Sequence, residues 1–307
     1  MQARRQPGSI FKPFVYLTAF EATFDDPSLP PITPATVVED APAVFFYEDK
    51  EYIPTNYEDS YFGMVTLRTA LAKSLNVATV KVAEMVGYDK VAALWSQKIG
   101  IGAPIQPYPA VALGAFEATP FEMASAYNII ANGGLKVPLA TILSVADDKN
   151  VVLEQLQTPP PERVLHEEST YLVTSMLQSV IREGTAASAA GLGFTAEAAG
   201  KTGTTNDYRD AWFVGFTPDL LCVVWVGFDD NTPVGLSGTR AALPIWVDFM
   251  KAALDGRTAT EFPPAPEGIV YVEIDKDTGL LARPGCPHKR MELFVAGTEP
   301  REPCGAH

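Results

Sequence analysis

Residues Ala199-Gly200-Lys201-Thr202-Gly203-Thr204-Thr205 constrain the fold more than any other part of the chain. They read as a strand of small residues carrying a single cation. The glycines on either side of Lys201 offer no side chain to pack, and inside a strand that usually marks the close approach of another backbone or a ligand. Lys201 and the hydroxyls of Thr202 and Thr204 then line one open edge with hydrogen-bond donors. Such an edge can bind a carboxylate and an amide, as when an extended peptide adds to a sheet. Taken alone, the same letters also fit a glycine-containing strand with a solvated lysine.

Two upstream motifs favour the first reading. Ser9-Ile10-Phe11-Lys12 is an S-x-x-K tetrad and Ser74-Leu75-Asn76 an S-x-N triad, in the order S-x-x-K, S-x-N, K-T-G along the chain. The spacing predicts a helix over 9–20, starting at or just after Ser9, because Pro13 is tolerated only in a first helical turn. Serine and lysine three apart then share a face. A serine nucleophile needs a base, and lysine can serve if burial or a neighbouring cation lowers its pKa. Lys201 would be that cation. The bland alternatives are an N-cap for Ser9 and a capping turn at Ser74–Asn76.

The remaining pattern is mixed α and β. Residues 24–62 are rich in Pro, Asp and aromatics without sustained periodicity and predict an irregular excursion with short strands, one at 42–47. Helices are expected over 66–74, 77–86, 88–99 and from 120 to 131, the last opened by Thr119-Pro120-Phe121-Glu122, a capping box with proline at its first position. Short β runs follow near 140–146 and 151–156. Residues 167–183 predict the longest amphipathic helix. After the Lys201 strand, 211–216 and 221–228 complete a three-strand meander with a turn at Phe216-Thr217-Pro218-Asp219, and 241–254 predicts a closing helix. Pro263-Pro264-Ala265-Pro266 reads as a linker before a small tail.

Composition narrows the function. A net charge of −14 argues against nucleic acid as a partner, since phosphate binding needs a basic face. No run approaches the ~18–20 apolar residues that span a bilayer, and the arginines at 4 and 5 are not followed by an apolar stretch of signal-peptide type. The expectation is a chain without its own anchor or export signal. Of three cysteines, Cys222 lies in an apolar run and reads as a small buried thiol. Cys286 and Cys304 leave two readings open: a disulfide, or a zinc site in which Cys286-Pro287-His288 and Cys304 with His307 supply ligands.

Beyond the three motifs, Arg5-Gln6-Pro7-Gly8-Ser9 with Phe11-Lys12-Pro13-Phe14, Leu113-Gly114 before Thr119-Pro120, Asn132-Gly133-Gly134, Glu183-Gly184-Thr185-Ala186, the stretch 200–215, and Ala296-Gly297-Thr298-Glu299-Pro300 before Cys304 all stand in sequence. This set resembles the class A penicillin-binding proteins, the bifunctional murein synthases, over essentially the whole chain. The resemblance implies an α+β penicillin-binding/β-lactamase-like fold, an antiparallel sheet flanked by helices. A truncated transpeptidase domain over 1–258 and a small tail over 259–307 are expected. Eight residues precede Ser9, so this sheet is expected to lack its N-terminal strands and to leave an open edge.

The resemblance further implies a D,D-transpeptidase that cross-links peptidoglycan stem peptides ending in D-Ala-D-Ala and is acylated by β-lactams. Ser9 would be the nucleophile, Lys12 its general base, Ser74 a proton relay and Lys201 an electrostatic support. Asn76 would hold the substrate amide, while Thr202, Gly203 and Thr204 take the substrate carboxylate. The backbone N–H groups of Ser9 and Thr204 would form the oxyanion hole. No metal or cofactor is required. The parent protein would carry a membrane anchor and a glycosyltransferase domain and act outside the cytoplasmic membrane. Competing expectations are a D,D-carboxypeptidase, a β-lactamase with Glu117 or Glu122 as deacylating base, and an inactive fragment or β-lactam sensor.

Overall fold

Helix α1 (Lys12–Asp25) is the axis of the molecule, with every side chain from Lys12 to Glu21 buried. A helix apolar on all faces can lie only inside a protein, and here Phe11, Phe14, Trp95, Phe116 and Tyr127 close around its first turn. The ring pairs meet mostly edge to face at 4.8–5.6 Å, each such pair adding about 0.5–1.5 kcal/mol beyond area burial. The computed structural model describes residues 3–258 and 260–305. The helix runs five residues past the expected end at 20. Its start also differs: Ser9 sits in a 3-10 turn (Gly8–Phe11) that feeds the α-helix, not in the α-helix itself.

The excursion that follows holds β1 (Val37–Asp40), β2 (Phe45–Tyr47) and β3 (Lys50–Tyr52), before β4 (Gly63–Thr66). β1 pairs with β4 and β2 with β3, both antiparallel. Thr66 caps α2 (Leu67–Ala72) by accepting from Thr69 N, and α3 (Asn76–Val86) and α4 (Tyr88–Ala93) come next. The helix expected over 88–99 is α4 followed by a wider π turn (Leu94–Ile99), closed by left-handed Gly100. α5 (Pro120–Ala131) opens on the expected capping box, with Thr119 and Glu122 bonded reciprocally.

Two-residue strands β5 (Leu135–Lys136) and β8 (Glu162–Arg163) pair around an exposed hairpin of β6 (Ser144–Ala146) and β7 (Val152–Gln155). α6 (Glu167–Arg182) and the short α7 (Ser188–Gly191) precede the meander β9 (Ala199–Thr204), β10 (Asp210–Phe216) and β11 (Leu221–Gly227). Among the described residues this sheet has three antiparallel strands, ordered β11-β10-β9, with Lys201 opposite Val214 and Gly203 opposite Trp212. All of β10 is buried, which explains its unbroken apolar run. α8 (Gly238–Leu254) packs on β10 and β11, and α6 lies along β9. α8 begins three residues before the expected start and, at 17 residues against 16, is longer than α6. The expectation that 167–183 forms the longest helix is therefore corrected.

The tail is more structured than its composition suggested. β12 (Ile269–Asp275) and β13 (Lys289–Val295) form a hairpin whose Ile269, Leu293 and Phe294 are buried. Cys286 and Cys304 are joined as a disulfide across 18 residues of chain. This leaves the zinc reading without its two thiolates; His288 Nδ1 meets Asp277 at 2.6 Å, and His307 lies outside the described residues. Asp275 stands within 4.8 Å of both sulfurs, the one metal-compatible group among the described residues, but those sulfurs are bonded to each other. Cys222 is half-buried rather than buried, and its partial burial pushes the thiol up to about 11. No helix among the described residues is long and apolar enough to cross a membrane.

Candidate active site

The turn that carries Ser9 is held by backbone contacts on three sides. Gly8 adopts a left-handed φ of +56° and Gly114 one of +71°. A Cβ on Gly114 would stand 2.4 Å from Gly8 O, so the Leu113-Gly114 step exists to let two backbones meet. Tyr127 on α5 donates to Ile10 O at 2.6 Å, and Trp212 on β10 donates its indole N–H to Gln6 O at 2.9 Å. β9 closes the fourth side. A Cβ on Gly203 would meet Ile10 at 2.8 Å and Pro7 O at 3.0 Å, and one on Gly8 would lie 3.0 Å from Thr204 O. The glycines of the Lys201 strand thus answer to a neighbouring backbone, as their placement predicted.

Lys12 is fully buried, and its Nζ donates to Ser74 O (2.6 Å), Asn76 Oδ1 (2.6 Å) and Ser74 Oγ (3.3 Å). Lys201, also fully buried, donates to the same Ser74 Oγ (2.8 Å) and to Thr202 O (2.9 Å). One hydroxyl therefore stands between two amines. Burial lowers the Lys12 pKa well below its ordinary value, and the nearby Lys201 charge lowers it further, against an opposing pull from Asp40. Burial alone brings Lys201 down to about 7. Two ammonium groups sharing one hydroxyl in so dry a site disfavour each other's charge, which adds to the downward shift from burial. Ser9 is half-buried, and its hydroxyl makes no hydrogen bond to another described residue.

Ser74 reaches this position in a left-handed conformation, φ +58°. For a serine that geometry stores about 1–3 kcal/mol and persists only where the surroundings enforce it. The enforcement comes from two side chains that motif reading missed. Asp40, fully buried at the end of β1, accepts from both Asn56 Nδ2 (2.9 Å to each carboxylate oxygen) and Phe62 N (3.0 Å). Asn56 Oδ1 in turn accepts from Asn76 N (2.7 Å) and Val77 N (3.2 Å). Asn56 therefore caps α3 and fixes the Ser74–Asn76 turn from behind. The only sequence signal was polar Asp and Asn amid aromatics, which carries no periodicity.

On the other flank, Thr202 Oγ1 lies 2.6 Å from Thr185 Oγ1, and Thr204 Oγ1 accepts from Gly238 N at 3.0 Å. The N-terminus of α8 thus abuts the end of β9, adding its partial positive charge beside Thr204. Thr185 belongs to the Glu183-Gly184-Thr185-Ala186 stretch, so the signal for it was present without a role attached. An open pocket of about 350 Å³ runs from Asn56 and Phe62 past Ser74 to Gly184 and Thr185. Of the eight residues singled out from sequence, Ser74 lines this pocket; Lys12, Asn76, Lys201 and Thr202 join it through hydrogen bonds, and Gly203 and Thr204 pack against the turn that carries Ser9. Glu122 does not join them, being bonded to Thr119 N at 2.7 Å and paired with Arg4.

Comparison with known proteins agrees with this architecture. Residues 1–251 match the penicillin binding protein transpeptidase domain and residues 265–307 the C-terminal domain of penicillin-binding protein 1A. Penicillin-binding protein 1A of Aquifex aeolicus is 38% identical over 99% of the chain and 40% of its own length; that of Pseudomonas aeruginosa is 34% identical over 96% and 41%. The chain also superposes on the crystal structure of penicillin-binding protein 1A from Haemophilus influenzae with a TM-score of 0.89 at 30% identity, covering 99% of this chain and half of that one. It therefore spans about two fifths of the curated relatives' length. The chain belongs to the penicillin-binding protein transpeptidase family, and its tail places it with the class A members.

Proposed function

We propose that this chain is the transpeptidase portion of a peptidoglycan synthase that works through a serine acyl-enzyme. The observation that carries the reading is the Ser74 hydroxyl held between two buried lysines, one of them three residues after Ser9. Ser9 Oγ attacks the carbonyl carbon of the D-Ala-D-Ala bond and gives its proton to the neutral Lys12 amine. The proton passes through Ser74 to the departing D-alanine amine, which leaves as the C–N bond breaks. An acceptor amine then attacks the ester, a new amide forms, and Ser9 takes back its proton.

Asn76 is assigned the donor-peptide amide, and Thr202, Gly203 and Thr204 its terminal carboxylate, beside cationic Lys201. The N–H groups of Ser9 and Thr204 receive the oxyanion, each worth on the order of 3 kcal/mol in the transition state; the near contact of Gly8 with Thr204 supports that pairing. β-Lactams acylate Ser9 by the same attack. Residues 1–258 are read as the catalytic unit and 259–307 as an appended one. The parent protein is read as membrane-anchored, with a glycosyltransferase domain, acting on the outer face of the cytoplasmic membrane. The capping role of Glu122 weighs against it as the base of a β-lactamase, and Glu117 lines a different pocket from Ser74, beside Arg4 and Arg5.

A donor peptide ending in D-Ala-D-Ala, offered with increasing concentrations of an amine acceptor, distinguishes the remaining alternatives. The expected result is a ratio of cross-linked to hydrolysed product that rises with acceptor. Hydrolysed product alone at every acceptor concentration would make the chain a carboxypeptidase instead.

A further inference from the structure

A buried ion pair joins the tail hairpin to the helix that leads into Ser74. Arg68, on α2, donates through Nε (2.7 Å) and Nη2 (2.5 Å) to the two carboxylate oxygens of Glu292 on β13. Both side chains are at most 5% exposed. The remaining guanidinium donors reach Ser175 O, Ser175 Oγ and Ser179 Oγ on α6, at 2.8–3.1 Å. A fork–fork pair of this kind sets orientation as well as distance.

Two residues earlier on β13, on the same face of the strand, Arg290 pairs with Glu183. Glu183 caps the end of α6 and is followed by Gly184, which lies so close to α2 that a Cβ there would stand 2.3 Å from Ala72 O. Thr185 N donates to that Ala72 O at 3.0 Å, while the Thr185 hydroxyl meets Thr202. One strand face thus grips both segments that frame the catalytic pocket: α2, two residues before Ser74, and the turn that carries Thr185.

We infer that the β12–β13 hairpin is a positioning element of the acylation site, with Glu292 and Arg290 as positioning residues for Ser74 and Thr185. This rests on the reading of Ser74 as proton relay given above. The hairpin contributes no group to the reacting atoms. It fixes the α2 end and the 183–185 turn against each other, so that Ser74 Oγ stays between Lys12 and Lys201. Displacement through Glu292 falls first on Ser74 and proton transfer, because Arg68 ties Glu292 to α2, whereas displacement through Arg290 and Glu183 also reaches Thr202 by way of Thr185.

The test is saturation kinetics of penicillin acylation at a temperature where every variant is folded, resolving the binding constant from the chemical rate. Glu292→Gln is expected to lower the chemical rate about tenfold with little change in binding, and Glu292→Asp to recover part of it. Met250→Ala, a buried change at the far end of α8, serves as control: it should lower the melting temperature while leaving the chemical rate within about twofold, as a change without a shared partner should. If Glu292→Gln does not fold, Arg290→Ala replaces it, because its partly exposed pair can be lost without burying a lone charge; a fall of about threefold is expected. A folded Glu292→Gln or Arg290→Ala protein reacting at the wild-type rate overturns the inference. So does an equal loss in Met250→Ala. Wild-type protein that penicillin does not acylate would refute the reading of Ser9 itself, and this inference with it.

Discussion

Lys12→Met is expected to slow penicillin acylation by about 10²- to 10⁴-fold, the range a positioned general base supplies, while the protein stays folded. Methionine fills the same volume in a site that is fully buried, so the loss falls on chemistry. The pH profile separates this cause from others. In the wild type, Lys12 holds its proton weakly because of burial and the Lys201 charge, so the neutral base accumulates as pH rises. Around pH 7 Lys201 in turn loses its proton, and the electrostatic support disappears with its charge. The acylation rate should therefore pass through a maximum and fall above about 7. Lys12→Met should lose the rising limb. A variant with a wild-type rate, or with an unchanged rising limb, would remove Lys12 from its assigned role.

The same shift makes a statement about stability. Lys201 has a folded pKa of about 7 against 10.5 when unfolded, so between those values the unfolded chain binds more protons. Its contribution to stability therefore rises with pH across that window and lies at its lowest below it. Against Lys201→Met, which has no such group, the wild type should gain relative stability from neutral to alkaline pH.

Asn56→Leu is expected to destabilise the protein by about 3 kcal/mol, read from its denaturant midpoint. Asn56 is 6% exposed and serves two buried partners at once. Removing its carboxamide leaves the Asp40 carboxylate with Phe62 N but without its amide donors, and it strips the cap from Asn76 N and Val77 N. Buried groups left unsatisfied cost about 1–3 kcal/mol each. The turn carrying Ser74 relaxes as a result, so acylation should fall as well. A loss below about 1 kcal/mol would mean that water replaces the carboxamide and that Ser74 is held by other contacts.

The parts of this site that were legible in the sequence are those written in local chemistry. S-x-x-K, S-x-N and K-T-G name their own side chains; the Thr119–Glu122 box and the Gly100 stop are short-range rules that the fold obeys. The Lys201 strand could be read because glycine in a strand has few uses, and Gly203 proved to face Ile10 and Pro7. What escaped was action at a distance. Asp40 and Asn56 lie in an aperiodic stretch, and nothing local says that they brace α3. Arg68 and Glu292 are 224 residues apart, each a single charge among many until the fold buries them together. The start of α8 was missed because Gly238 and Thr239 are poor helix formers; its first N–H is satisfied from outside by Thr204. Tertiary contact overrides propensity at that end.

The most direct test of the whole account is the intact mass of the protein after exposure to a penicillin, measured beside Ser9→Ala. One added penicillin per chain, absent in Ser9→Ala and mapped by peptide analysis to Ser9, is the predicted result. An adduct that survives in Ser9→Ala, or no adduct on a protein that melts cooperatively, would contradict it.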